Sequence, residues 1–407
     1  MKNQYDIVVV GAGASGMAAA LAAAEVNPDT RILVLEKNPA PGKKIRATGN
    51  GRCNISNIHA EHYPEARSLL RKWGIITRDY PSGLVYPYSE SAGAVAEILA
   101  TRMQEMGIEL WTSVAVTDVL EKPFRLQVER CGKKKASGKP ERIRIQAKKV
   151  ILASGGKAGP DFGTIGDGYR WVRNMGHQVI SPIPVLTPVD CKEDSCEKIS
   201  GTRAKGIVTL YRKTGEEWKG VFTEEGEIQF TATGLSGICV FNMTRNMRFD
   251  RTEGLGVFRV EVDLCPDLDM KAYLEEWKEN ETELEIALRT LLREKLSRYV
   301  VQRAEIPPKR RCKELTEKEI RSLEKTLHHL GFRPTGIHGW KEAQCTAGGV
   351  SLEEIDARSQ ESLICPGLYV TGELQDYDGP CGGYNLNHAW VTGARAGADA
   401  AKKLQEL

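Results

Sequence analysis

The sequence predicts an α/β fold in which both ends of the chain build one domain and the middle builds another. Three observations predict it: a strand, glycine turn, helix and second strand over residues 5–36; short strands and then helices from 185 to 332; and a return to buried strand and helix after 341. The expected architecture is a Rossmann-like domain with an inserted β-barrel plus helical domain. Its expected boundaries are 1–184, an insertion over 185–340 (strand-rich over 185–265, helical over 266–332) and a return segment over 341–407. An insertion of this kind is expected to set a cleft between two units, where a small molecule can be enclosed.

The first strand is the β-branched run Tyr5-Asp-Ile-Val-Val-Val10, and Gly11, Gly13 and Gly16 follow at G-x-G-x-x-G spacing. The first glycine permits a tight turn, the second lets a pyrophosphate approach the backbone, and the third lets helix and strand pack closely. Ala14 and Ser15 open a helix with an alanine-rich body, so its first N–H groups aim at phosphate. The second strand, 31–35, ends at Glu36, where a carboxylate can accept hydrogen bonds from a ribose diol. This register of strand, turn, helix, strand and acid specifies a dinucleotide site far better than the glycines alone.

The loop 39–57 is rich in glycine and side-chain donors, among them Lys44, Arg46, Thr48, Gly49, Asn50, Arg52, Asn54 and Asn57, and can wrap phosphates and lie against a planar ring. A helix is expected over 92–106 and a strand over 109–119, whose backbone near Val116 can bond an adenine edge. Segments 124–130 and 142–147 alternate as an antiparallel pair around a solvated lysine-rich turn at 131–140. A buried strand from 149 runs into Ala153, Gly155 and Gly156, a turn able to pass close to the dinucleotide, and a helix follows over 167–175. In the middle of the chain, Leu284, Ala287, Leu288, Leu291 and Leu292 recur at helical spacing, and Thr316 with Glu319 forms a capping box; both read as core-facing helices. The last strand ends at Gly372-Glu373, and Gly382, Gly383, Tyr384, Asn385 and Leu386 lead into a helix over 386–403.

A single ADP site serves NAD or FAD. The loop 42–57, Val116, the 153–156 turn and above all the 372–388 segment favour FAD. At 382–383, glycines allow close backbone approach, and the helix start aims N–H groups and its positive end at the electron-rich edge of a flavin ring.

Four motifs carry a family resemblance: Thr48-Gly-Asn-Gly-Arg-Cys-Asn54, Gly163-Thr-Ile-Gly-Asp-Gly168, Thr346-Ala-Gly-Gly-Val350, and Gly372-Glu373 with Gly382-Gly-Tyr-Asn-Leu386. Over essentially its full length the chain resembles the HI0933-like flavoproteins, the BaiN or aminoacetone-oxidase type within the two-dinucleotide-binding-domain flavoproteins. The resemblance implies an FAD-binding domain made of both chain ends, and oxidoreductase activity on substrates that differ across the family. It implies FAD contacts at Gly13, Ala14, Ser15, Glu36, Lys37, Arg46, Thr48, Gly49, Val116, Glu373, Asn385 and Leu386. With Gly11, Gly16, Lys44, Asn50, Ala153, Gly155, Gly348, Gly349, Gly372 and Gly383, these form the candidate cofactor site. Gly348 and Gly349 are expected to abut the isoalloxazine, because glycine leaves room at a ring face. Leu374-Gln-Asp-Tyr-Asp378 departs from the Val-Leu-Asp type of segment found in many relatives, which alters the pocket.

No catalytic acid or base stands out; His338, Tyr384 and His388 are the candidates, and His388 in a first helical turn also suits a structural role. Cys53 reads as a packing residue, and His328 and His329 as helix-end caps or solvent-facing groups. Nothing supplies a nucleophile elbow. Gly254-Leu-Gly256 lacks the third glycine and the helix of a second nucleotide unit, so NAD(P)H is expected only as a transient electron donor over the flavin. The expected function is FAD-dependent oxidoreduction, with hydride passing through flavin N5 to or from a small organic substrate and NAD(P)H as the linked donor. The alternatives are oxygen-linked oxidation of a small amine or amino ketone, and a non-enzymatic flavin-binding sensor or partner-binding protein.

A net charge of +3 over 407 residues argues against a nucleic-acid partner. Ten cysteines without C-x-x-C pairs or a histidine cluster suggest reduced thiols and no metal site. The chain opens directly into a strand, with no signal peptide and no apolar stretch of membrane-spanning length, so a soluble cytoplasmic protein is expected. Oligomeric state is left open.

Overall fold

A computed structural model describes residues 3–120, 123–134, 140–193, 196–248 and 254–406. The tip of the lysine-rich turn, 135–139, lies outside the described residues. The chain divides into two compact units, Met1–Pro184 with Cys345–Leu407, and Val185–Gln344.

The first unit is built on a sheet whose centre is parallel. Strand Gln4–Val10 pairs in parallel with Ile32–Leu35 on one side and with Pro140–Leu152 on the other, Val10 opposite both Leu35 and Leu152. Leu368–Val370 extends the sheet beyond Pro140–Leu152, and Glu109–Trp111 extends it beyond Ile32–Leu35. Ile7, Val8 and Val9 have no exposed surface, as expected of a central strand covered on both faces. Pro140–Leu152 is one strand where the sequence suggests two. Its first part pairs antiparallel with Phe124–Lys134, and its end joins the parallel ladder. The strand expected over 109–119 is instead broken at Ser113 (φ +55°) into Glu109–Trp111 and Val114–Leu120.

Helix Ala14–Val26 lies against the final helix, Tyr384–Gln405. The alanines of the first helix and Gly393 and Gly397 of the last let the backbones approach. A Cβ on either glycine would strike the carbonyl oxygen of Ser15 or Ala19. Ile7, Val9, Met17, Leu21 and Trp390 share the core on this side of the sheet, while Val8, Leu33, Val128 and Trp171 share the core on the other.

In the second unit, seven strands form an antiparallel sheet in the order Leu330–Phe332, Phe258–Asp263, Arg203–Thr214, Glu217–Phe230, Gly234–Ser236, Val189–Cys191, Pro334–Ile337. Arg333 alone separates the strands at the two ends of this order, so the sheet curls round on itself. Helices Met270–Glu276, Glu294–Arg303 and Glu317–His328 share one core with it, including Val208, Val260, Leu296 and Leu323. The capping box forms: Thr316 Oγ1 accepts from Glu319 N at 3.3 Å and the Glu319 carboxylate accepts from Thr316 N at 2.9 Å. The apolar stripe at 284–292 is not one helix; it breaks into the short turns Leu284–Ala287 and Leu288–Thr290. No helix among the described residues is long and apolar enough to cross a membrane.

Candidate active site

The three turn glycines differ in what surrounds them. Gly11 has φ +104°, and a Cβ there would strike the Ala153 carbonyl oxygen; a Cβ on Gly16 would strike that of Gly11. Gly13 has ordinary extended backbone, and a Cβ there would meet nothing within 4 Å. The chain's own backbone thus demands the outer glycines, while the middle one leaves an open face at a helix start that no side chain caps. An uncapped helix start with an open face has the geometry that phosphate-binding turns use. Ser15 is buried behind it against Gly372 (φ +62°), whose N–H donates to Thr392 Oγ1 at 3.1 Å.

Glu36 is buried. Its Oε1 accepts from Asn38 N at 2.8 Å and Asn38 Nδ2 at 2.7 Å, and its Oε2 accepts from Ala12 N at 2.9 Å. An oxygen with two lone pairs and one such bond keeps an acceptor direction for a ribose hydroxyl. The half-buried Val116 sits on the strand that starts beside Glu36, where Val114 N donates to Glu36 O at 2.9 Å. Lys37 forms an ion pair with Asp167 at 3.0 Å.

Three other segments, carrying Lys44, Gly156–Ala158 and Thr346, meet at Glu373. Lys44 Nζ reaches Glu373 Oε2 at 2.6 Å and the Ala158 carbonyl at 3.2 Å. Glu373 Oε1 accepts from Thr346 N at 3.0 Å, and Thr346 Oγ1 accepts from Lys157 N and Ala158 N at 2.8 and 3.0 Å. Gly156 is needed here, since its Cβ would lie 2.9 Å from Glu373 Oε1. Sequence reasoning missed this network, although glycine after a buried strand was a signal for Gly156. Ala153 is buried, its N–H bonded to Val10 O, and Gly155 has φ +73°. Gly348 (φ +82°) and Gly349 (φ +143°) belong to the fully buried strand Cys345–Val350, where Cβ atoms would lie 2.6 Å from Ser181 O and Gln375 O. Close backbone packing by itself requires glycine at both.

The polar loop docks onto the start of the final helix. Asn57 Nδ2 donates to Gly382 O at 2.9 Å, Ser56 Oγ to Asn387 Oδ1 at 2.7 Å and Trp390 Nε1 to Ile55 O at 3.0 Å. Gly383 (φ +95°) precedes a helix start that no side chain caps. Asn385 closes the turn before it, bonding Gly379 N and O at 2.8 and 2.9 Å, and Leu386 is half-buried. Thr48 Oγ1 donates to Ile45 O, Gly49 and Asn50 take left-handed backbone, and Arg46 and Asn50 are exposed. Cys53 is fully buried, and burial pushes its thiol up to about 11, consistent with a packing role.

His388 has a fixed tautomer. Gln375 Nε2 donates to the Val370 carbonyl at 2.9 Å, which can only accept, and to Gln360 Oε1 at 2.7 Å. Gln375 Oε1 therefore accepts from His388 Nε2 at 2.7 Å, leaving Nδ1 with its lone pair. Burial, aided by the positive side of His62 and Arg395, lowers the His388 pKa to about 4. Its ring stacks on Tyr377, centroids 3.8 Å apart, beside a cavity of about 190 Å³ also lined by His62, Ile355, Val391 and Arg395. Tyr384 opens the same helix. His338 belongs to the second unit, where Nε2 lies 3.0 Å from Asp190 Oδ1. His328 and His329, expected as helix-end caps or solvent-facing groups, pair with Asp263 and Glu261, and His329 is exposed.

The family model described as the HI0933-like protein Rossmann domain matches residues 5–65 and 62–399. The chain belongs to the HI0933-like family. It is 33% identical to a 3-dehydro-bile acid delta(4,6)-reductase of Clostridium scindens, over 98% of this chain and 99% of the relative. It is 26% identical to a ribosomal RNA dihydrouridine synthase of Escherichia coli, over 95% and 96%. A solved quinol fumarate reductase variant from E. coli matches 99% of this chain and 70% of its own, with TM-score 0.52 at 17% identity, and shares the fold. As an HI0933-like protein the chain is an FAD-dependent oxidoreductase. The residues present suit that cofactor. Besides the open face at Gly13 and the spare direction at Glu36, buried Asn54 Oδ1 and Ser154 Oγ have no hydrogen-bond partner among the described residues.

Proposed function

We propose that this HI0933-like protein reduces a carbon–carbon double bond conjugated to a carbonyl in a small molecule, with NAD(P)H as donor. Bound FAD supplies hydride transfer at its N5. The observation that carries the cofactor site is the uncapped helix start at Gly13, open on one face and flanked by a buried carboxylate at Glu36. In this reading the N–H groups of Ala14 and Ser15 hold the pyrophosphate and Glu36 Oε2 takes a ribose hydroxyl. Gly11, Gly16, Gly155, Gly348, Gly349 and Gly372 let the surrounding backbone close up. Lys44 and Glu373 fix segments that would meet at the cofactor, and Ala153 would line it from the end of its strand. Lys37, Arg46, Thr48, Gly49, Asn50 and Val116 complete the nucleotide side, and Gly383, Asn385 and Leu386 present the final helix start to the ring. The double-bond chemistry rests on the relatives: one name states a delta(4,6) reduction of a 3-oxo compound, the other the reduction of uridine to dihydrouridine.

The test is an anaerobic titration of FAD-loaded protein with NADH and then NADPH, followed by addition of an enone. Bleaching of the visible flavin band by either nucleotide, and its return on adding the enone, is the expected result. A band unmoved by both nucleotides but bleached by a small amine would replace this reading with the oxidase.

A second reading, reduction of a uridine in RNA, is favoured by the rRNA-acting relative at near-full coverage. Near-neutral net charge is the argument against it. Mass spectrometry of rRNA from cells lacking the protein decides, with loss of one dihydrouridine supporting the RNA reading.

A further inference from the structure

In the second unit the end of strand Phe258–Asp263 and the end of helix Glu317–His328 bring three metal-ligating side chains together. His328 Nδ1 lies 3.0 Å from Asp263 Oδ1, and His328 Nε2 lies 3.9 Å from Cys265 Sγ. Cys265 N donates to Asp263 Oδ1 at 3.0 Å, which folds Asp263-Leu264-Cys265 into a tight bend. Taking one ligand atom from each residue, the three lie within 4.8 Å of one another.

We propose that Asp263, Cys265 and His328 form a binding site for a divalent cation of the zinc class. Thiolate, imidazole and carboxylate are the donors zinc takes, and tetrahedral bonds of about 2.0–2.3 Å set such atoms roughly 3.3–3.8 Å apart. His328 would bind through one ring nitrogen, and from atoms within 4.8 Å of one another the side chains need shifts of up to about 1.5 Å to reach that spacing. Binding releases the Cys265 thiol proton to solvent, and water fills the remaining position. The ion ties the strand end to the helix end, a structural role independent of the flavin. The sequence does not advertise the site because its spacing is Asp-x-Cys with a histidine far downstream, without a C-x-x-C pair.

The full chain, with FAD bound, is incubated with Zn²⁺ and desalted, then analysed for metal content and by zinc-edge X-ray absorption. The expected result is one zinc per chain with one sulfur neighbour. Cys265→Ser and Asp263→Asn should each weaken retention at least tenfold, while Cys312→Ser, a buried cysteine of the same unit, should leave it unchanged. No zinc on the wild-type chain, a shell without sulfur, or undiminished retention by Cys265→Ser overturns the site. The wild-type spectrum decides even if a variant fails to fold.

Discussion

One missing methyl group does different work at each glycine of the first turn. Gly16→Ala drives a Cβ into the Gly11 carbonyl and should lower stability by roughly 1–3 kcal/mol, read as a fall in melting temperature. Gly13→Ala places its methyl in open space, so the fold should keep its melting temperature while flavin content falls. Glu36→Gln should weaken FAD about tenfold or more, since a hydrogen bond to a charged acceptor contributes ~1.5–3 kcal/mol, and equilibrium dialysis measures it. His388 makes stability depend on pH. Its pKa is about 4 in the folded chain against about 6.5 when unfolded, so the unfolded chain takes up the proton first as pH falls. The contribution is complete above about pH 6.5 and is lost toward pH 4. By pH 5 the loss should be at most about 2 kcal/mol, reduced further by the ring's partial exposure. Denaturant midpoints at pH 7 and pH 5 should therefore differ less for His388→Gln than for the wild type. The turn glycines and Glu36 were legible because their signal lies within one short stretch of chain. The contact of Lys44 with Glu373 was not, because it joins residues 329 positions apart.

Elements were legible where one periodic pattern met one environment. The helix Ala92–Glu105 and the capped helix Glu317–His328 lie close to where hydrophobic spacing placed them. Thr316→Ala should cost about 1 kcal/mol by removing the cap, seen as a lower denaturation midpoint. Strand Pro140–Leu152 was read as two because it changes partners midway, and alternation in its antiparallel part gives way to a continuous apolar run in its parallel part. The stripe at 284–292 has helical spacing but only short turns, because the same leucines also satisfy a core that needs no continuous helix. Gly397 offers a test at this scale: Gly397→Ala presses the final helix away from Ala19 and should cost roughly 1–3 kcal/mol.

Across the whole molecule, the residues proposed to hold FAD belong to the first unit and the proposed cation ligands to the second. Ligand binding stabilises what it binds by mass action. In calorimetry, FAD should raise the unfolding transition of the first unit and Zn²⁺ that of the second; a single transition raised equally by both would show that the units unfold as one. The parallel sheet and its nucleotide turn were legible because local pattern and buried run agree there. The strand order of the second sheet was not, because it depends on which strands become neighbours. Arg333 is the one link between the two ends of that strand order, and its N and Nε both bond the buried Glu193 carboxylate, each at 3.0 Å. This peptide hinge acts as a clasp, holding two edges together by connectivity where a closed barrel would use a hydrogen-bonded seam. A nick or flexible insert there would unfasten the second unit without removing a single core side chain.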